Sequence, residues 1–174
     1  MIELINATRT AIVDQNYYLT LFICLTMPDI AGKIEYPNID GRNHYIKWFN
    51  ENVADKYIIN NKISLTGNDC YALRCSMLHE GVTNTEPQPS HELFKKFVFG
   101  NFESHKNCFF DCNFNGVIWD AVIQLSVRQF CLDMCDSAQI WLERAIVDDE
   151  KKQKIDDLVI IYPAGNSING MSFG

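Results

Sequence analysis

Thr66 and Gly81 bracket the stretch that most constrains how this chain can fold. Thr66-Gly67-Asn68-Asp69 offers a hydroxyl at an N-cap position with an acid three residues on, and Gly81 supplies the residue type that most often ends a helix. The segment between them is therefore expected to be one delimited helix. That helix carries Arg74 and His79, separated by four residues. An arginine presents a planar, permanently charged fork that matches phosphate oxygens, and histidine is the side chain best suited to move protons near neutral pH. Five helical steps of about 100° leave His79 roughly 140° round from Arg74, so only the long arginine stem, or a second copy of the helix, can bring the two together.

The rest of the chain is organised around further helices. Ile2, Ile5, Ile12, Leu19, Phe22 and Ile23 recur at helical spacing and predict one long helix from Ile2 to about Met27. Pro28 is expected to end it, with an irregular connection running through Gly32, Pro37 and Gly41. Asn43 to about Tyr57 reads as a second amphipathic helix whose face of Tyr45, Trp48, Phe49 and Val53 is core. After Gly81, Val82 to Ser90 is polar, contains Pro87 and Pro89, and is expected to be an exposed, mobile loop.

The period then changes. Leu93 to Phe99 is rich in aromatics, and Val117 to Leu125 is β-branched and partly alternating, so two strands are expected, joined as a wide hairpin across Gly100 to Gly116. Ser126 should cap a last long helix from about Val127 to Ile146. Lys151 to Lys154 reads as solvated, Leu158 to Tyr162 as a short strand, and Pro163 to Gly174 as a tail. The expected fold is mainly α: a helical bundle with a small β-hairpin inserted before the last long helix. It forms a single domain over 1–174, with a helical part at 1–82, the hairpin at 91–126, the last helix at 127–146 and a tail from 147.

Composition removes several function classes. The net charge of -7 leaves no broad basic footprint of the kind that coats nucleic acid non-specifically. No window resembles a membrane span, and Glu3 and Asp14 precede the most lipophilic run, so a cytoplasmic protein without a membrane anchor is expected. The seven cysteines are an odd number and do not suggest a disulfide framework. His105, Cys108 and Cys112, with Cys131 and Cys135, have ligand chemistry that zinc would accept. Neither pair has the Cys-x2-Cys spacing of zinc ribbons, so no metal or cofactor is expected. GxxxxGK[ST], GxGxxG and GxSxG motifs are missing from the sequence. Lys95, Lys96, Lys106 and Arg128 form a local basic neighbourhood that could guide a phosphate backbone. Trp48, Trp119 and Trp141 sit in apolar settings and are expected in the core.

Arg74-Cys-Ser-Met-Leu-His79 resembles the Arg-x4-His signature of the HEPN superfamily, helical domains common in prokaryotic nucleases, toxins and nucleotide-binding modules. The likeness extends over roughly residues 20 to 82, through Met27-Pro28-Asp29-Ile30, Glu35-Tyr36-Pro37, Tyr45, Trp48-Phe49 and Tyr71-Ala-Leu-Arg74, blocks also similar to those of a group of bacterial proteins. It implies a metal-independent endoribonuclease, working as a homodimer in which two such helices present both arginines and both histidines to one phosphate. Arg74 and His79 would be catalytic, Asp29 would orient Arg74, Asp69 or Ser76 would supply a supporting polar contact, and Lys95, Lys96 and Arg128 would bind RNA. An antitoxin-like protein partner fits the same resemblance. Many active members carry a polar residue directly after the arginine, where this chain has Cys75. The alternative is a non-catalytic nucleotide- or protein-binding module, or a purely structural domain.

Overall fold

The computed structural model describes residues 1–59, 62–63, 65–102, 106–161, 167–168 and 171–172. The described chain is mainly helical with a small strand region. Its order is α1 (Ile2–Val13), α2 (Tyr17–Glu35), α3 (Arg42–Asn52), a 3-10 turn (Ala54–Lys56), β1 (Ile58–Ile59), β2 (Lys62–Ile63), α4 (Gly67–Glu80), β3 (Lys96–Gly100), β4 (Lys106–Phe109), β5 (Cys112–Phe114), β6 (Val117–Trp119), β7 (Val122–Ser126), α5 (Val127–Ala145) and α6 (Asp149–Asp156), followed by the short pair β8 (Ser167–Ile168) and β9 (Met171–Ser172).

The expected long first helix is two helices, and its expected end is wrong. The chain breaks at Asp14-Gln15-Asn16, where Gln15 takes φ 57° and no apolar residue is available to bury. Pro28, by contrast, lies inside α2, which continues to Glu35. Proline removes one ladder donor and crowds the preceding turn. The helix nevertheless persists because Met27, Pro28, Ala31, Gly32 and Ile34 are all buried by its neighbours. α3 packs so close to α2 that a Cβ on Gly32 would lie 2.6 Å from the His44 carbonyl oxygen. On α4, Gly67 allows the same approach, since a Cβ there would collide with the Ile46 carbonyl oxygen. α3 is thus held between two glycines, and it ends at Asn52, earlier than Tyr57.

The helical core is aromatic. Trp48 of α3 meets Trp141 of α5 edge-on with ring centroids 6.2 Å apart, and Tyr45, Phe49, Tyr57 and Phe130 are fully buried with them. Trp119 does not join this core. It packs with Phe109 and Phe114 in a separate aromatic cluster on β4, β5 and β6.

The aromatic-rich run and the β-branched run do pair, but not as a hairpin. β3 and β7 are parallel, from Lys96 opposite Val122 to Gly100 opposite Ser126. β4 lies antiparallel on the other side of β7, giving the order β3-β7-β4. The hairpin in this region is instead β5–β6, whose Asn115-Gly116 turn has both residues at positive φ, the geometry that matches strand twist in a two-residue loop. Ala121, at φ 52°, separates β6 from β7. The loop expected to be free from Val82 to Ser90 is anchored: Thr85 is buried, its amide donates to the Lys95 carbonyl and its hydroxyl to the Phe94 carbonyl.

Both ends of α4 and the start of α5 match their expected caps. The Asp69 amide donates to the Thr66 hydroxyl, Gly81 takes the left-handed conformation at φ 71°, and the Gln129 amide donates to Ser126. The run at Lys151 to Lys154 lies on α6, and Lys151 reaches back 2.7 Å to Glu35 of α2. Residues 158–161 are not a strand, and Tyr162 lies outside the described residues. No helix of the described residues is long and apolar enough to cross a membrane.

Asp69 links α4 to the sheet. One carboxylate oxygen accepts from the amides of Glu92, Leu93 and Phe94 at 2.8–3.1 Å, and the other accepts from the Thr66 hydroxyl. Asp69→Ala should therefore lower the unfolding free energy by about 3 kcal/mol or more, because buried amides lose a charged acceptor. Urea denaturation followed by circular dichroism measures this, and a loss below about 1 kcal/mol would contradict the assigned role.

Candidate functional site

α4 crosses α2 so that Arg74 meets Asp29. The guanidinium Nε donates to Asp29 Oδ2 at 2.9 Å, with 23% and 28% of the two side chains exposed. The expectation that Asp29 orients Arg74 has a direct geometric counterpart, although Asp29 sits within a continuous helix and not at a helix end. Burial opposes the charge on Arg74, but the Asp29 carboxylate outweighs it and the guanidinium pKa is raised above its ordinary value. Arg74 is held as a fixed cation at the surface.

The same guanidinium reaches His79. Arg74 Nη1 lies 3.3 Å from His79 Nε2, so the gap between these positions on the helix is closed within one chain. Arginine has no lone pair to offer, so the contact is a hydrogen bond from Nη1 to Nε2 in the tautomer that carries its proton on Nδ1. His79 itself is exposed. Asp29 thus takes Nε, and the Nη end of the fork is turned toward the histidine.

Tyr71 completes the surroundings. Its ring centroid is 6.0 Å from the Arg74 guanidinium carbon and 5.2 Å from the ring of buried Tyr45, which it meets edge-on. Burial raises the Tyr71 phenol pKa, helped by the neighbouring Cys75 thiol. Tyr71 was missed as a site residue by sequence reasoning. Its signal was the three-residue spacing to Arg74, which puts both side chains on one helical face.

Other expected site residues point elsewhere. Ser76 is fully buried and its hydroxyl has no hydrogen-bond partner among the described residues, so it does not supply a polar contact at the surface. Asp69 spends both oxygens on Thr66 and the 92–94 backbone. Lys95 is neutralised by Asp120 at 2.9 Å and Glu86 at 3.9 Å. Lys106 folds inward, 5.4 Å from the Tyr57 ring. Lys96 and Arg128 are exposed.

The cysteine-rich candidate does not assemble. His105 lies outside the described residues, and Cys131 and Cys135 are buried in the core, where the Cys24 thiol donates to the Cys131 carbonyl at 3.6 Å. Among the described residues no group of three His, Cys, Asp or Glu side chains could hold a metal ion.

No protein-family model, curated protein or solved structure matches the chain. The site must be read from its own geometry. What that geometry offers is an anchored cation beside a histidine whose lone pair faces it, on an open surface, which suits binding an anion and moving a proton next to it.

Two thiols on α4 should report this arrangement. Burial, with Asp69 and Asp29 adding to it, pushes the Cys70 thiol up to about 12, while its Tyr45 hydrogen bond pulls the other way. Cys75 is partly exposed. Since the thiolate is the nucleophile, iodoacetamide near pH 8 should alkylate Cys75 well ahead of Cys70, as followed by peptide mass mapping. Cys70 should gain reactivity only as the pH rises toward its pKa or the chain unfolds; equal native rates would contradict the geometry.

Proposed function

We propose that this protein is a metal-independent endoribonuclease of the HEPN type, acting as a homodimer with Arg74 and His79 at its catalytic centre. The single observation that carries the reading is the Asp29–Arg74–His79 chain of contacts, 2.9 Å and 3.3 Å long and open to solvent. A phosphate entering this site would take the Nη end of Arg74 and release His79 Nε2. That nitrogen would then remove the proton from a ribose 2′-hydroxyl, whose oxygen attacks the adjacent phosphorus. Arg74 would stabilise the extra negative charge on the phosphorane oxygens. The 5′-oxygen leaves with a proton, and the products are a 2′,3′-cyclic phosphate and a 5′-hydroxyl. Only RNA carries the hydroxyl this route needs.

Among the described residues one chain brings one histidine to Arg74, and the reaction needs a base and an acid. A homodimer supports the reading by bringing a second His79 to protonate the leaving oxygen. Cys75 favours a second reading, a non-catalytic nucleotide-binding module, because its thiol packs against Tyr71 in place of the polar group that follows arginine in many active relatives of the resemblance.

The test is cleavage of single-stranded RNA by the purified protein in EDTA, with product ends identified by mass spectrometry. His79→Ala should lose about 10²–10⁴-fold in rate, and Arg74→Ala about 10²–10³-fold, with circular dichroism and dimer mass unchanged. Undiminished cleavage by His79→Ala would sink the enzyme reading. RNA binding without cleavage by the unaltered protein would establish the second.

A further inference from the structure

A cleft lies where α2, α4 and β3 meet. It has a volume of about 850 Å³ and is walled by Tyr18 and Phe22 of α2, Met77 of α4, and Lys96, Val98 and Phe99 of β3. That volume is in the range that encloses a small organic ligand. Phe22 and Asp29 lie seven residues apart, nearly on one face of α2, which puts them about 10 Å apart along the helix axis. Met77 follows Arg74 by one turn on α4. Met77 and Gly81, which line the cleft, stand two residues before and two after His79 on the chain, so the cleft and the Arg74–His79 pair share the C-terminal half of α4.

Its charge is unusual for this chain. With 22 acidic residues and a net charge of -7, the protein places no aspartate or glutamate among the described residues that line the cleft, and it places Lys96 in the wall. Val127, the first residue of α5, closes one side, and exposed Arg128 follows it. The cleft is aromatic, and Lys96, the charged residue among the described residues that line it, favours an anion. Its floor also offers hydrogen bonds. The Phe97 amide donates to the Thr83 carbonyl on the outer edge of β3, and strand alternation puts the N–H and C=O of Phe99 on that same edge. There the chain at Val82 and Gly81 has already turned away into α4, so this edge faces the cleft.

We propose that this cleft is a nucleobase subsite for single-stranded RNA. The base next to the phosphate held at Arg74 and His79 stacks on Tyr18 and Phe22, its polar edge meets the β3 backbone, and the following phosphate meets Lys96. This inference rests on the ribonuclease reading and names how that site holds its substrate. A flat aromatic base fits the ring-lined walls, and a polyanion fits a lining without carboxylates.

The experiment uses the full chain with three probes: adenosine 5′-monophosphate, ribose 5-phosphate, and a short 2′-O-methyl oligonucleotide that cannot be cleaved. Saturation-transfer NMR should detect contacts to the adenine ring and no binding of ribose 5-phosphate. Tyr18 is 83% exposed, so Tyr18→Ala leaves the core intact. It should weaken oligonucleotide binding about fivefold or more, and Phe22→Ala should weaken it further. Equal binding of ribose 5-phosphate and the nucleotide would overturn the proposal, as would unchanged affinity in both variants. Binding of an extended apolar peptide at the β3 edge, with no nucleotide contact, would overturn it in favour of a protein partner. Base-dependent binding without RNA cleavage would keep the subsite and remove the ribonuclease reading. Cleavage with unaltered kcat/KM in both variants would do the reverse.

Discussion

The continuity of α2 through Pro28 is the constraint on which the rest of the structure depends. A proline in a helix interior costs about 3 kcal/mol, through one missing hydrogen bond and a clash with the turn before it. Beyond that point α2 buries Ala31, Gly32 and Ile34 against its neighbours, and Met27 just before it is also fully enclosed. Each large apolar side chain so enclosed contributes about 1.5–3 kcal/mol, enough together to outweigh the local penalty. Had the helix ended at Met27, Gly32 would not face His44, α3 would lose its close seat, and Asp29 would sit in a loop with no fixed relation to α4.

From that helix the site follows by two further attachments. α4 is pinned at its start by Thr66 and Asp69 and released at Gly81, so its register against α2 is set and Arg74 falls opposite Asp29. Asp69 simultaneously holds the backbone of 92–94, which delivers the chain into β3. One buried carboxylate therefore fixes both the helix that carries the cation and the strand that walls the neighbouring cleft. Because α4 and β3 diverge after Gly81, the seam between them opens into the cleft that Met77, Gly81 and β3 line.

What could be read from the sequence was what is decided locally. Thr66, Asp69 and Gly81 specify α4 within a single segment, and Ser126 does the same for α5, so those elements and the placing of Arg74 and His79 on one helix were legible. Pro28 was misleading because its local effect is real but is overridden by burial contributed from distant segments. The parallel pairing of β3 with β7 was not legible either: the strands announce themselves by composition, but the choice of partner is tertiary and was made by β4, which takes the antiparallel side of β7. Asn115-Gly116 did mark the true hairpin, and a wide connection was read across it. Ser76 and Asp69 could not be sorted from Asp29 by type, since only packing decides which polar side chain faces the surface and which is spent inside.

The contact between Arg74 and His79 also changes the case for a dimer. Geometry on an ideal helix makes the two residues poor partners, which would by itself argue that each works with the other's counterpart across an interface. The guanidinium closes the distance within one chain, so that argument falls. What remains is chemical. A lone pair at Nε2 held against a cation suits a base, and the proton that base takes ends on the side of the attacking oxygen, away from the leaving 5′-oxygen. Cyclising transfer from a 2′-hydroxyl needs both at once, at opposite sides of the phosphorus. If RNA is cut here, a second imidazole acting as that acid would come from elsewhere. Among the described residues, His44 lies against Gly32 on the α2–α3 contact and His91 bonds to the Gln88 carbonyl, so neither has a contact with Arg74, and in the proposed homodimer a second copy of α4 would be the source of an equivalent His79.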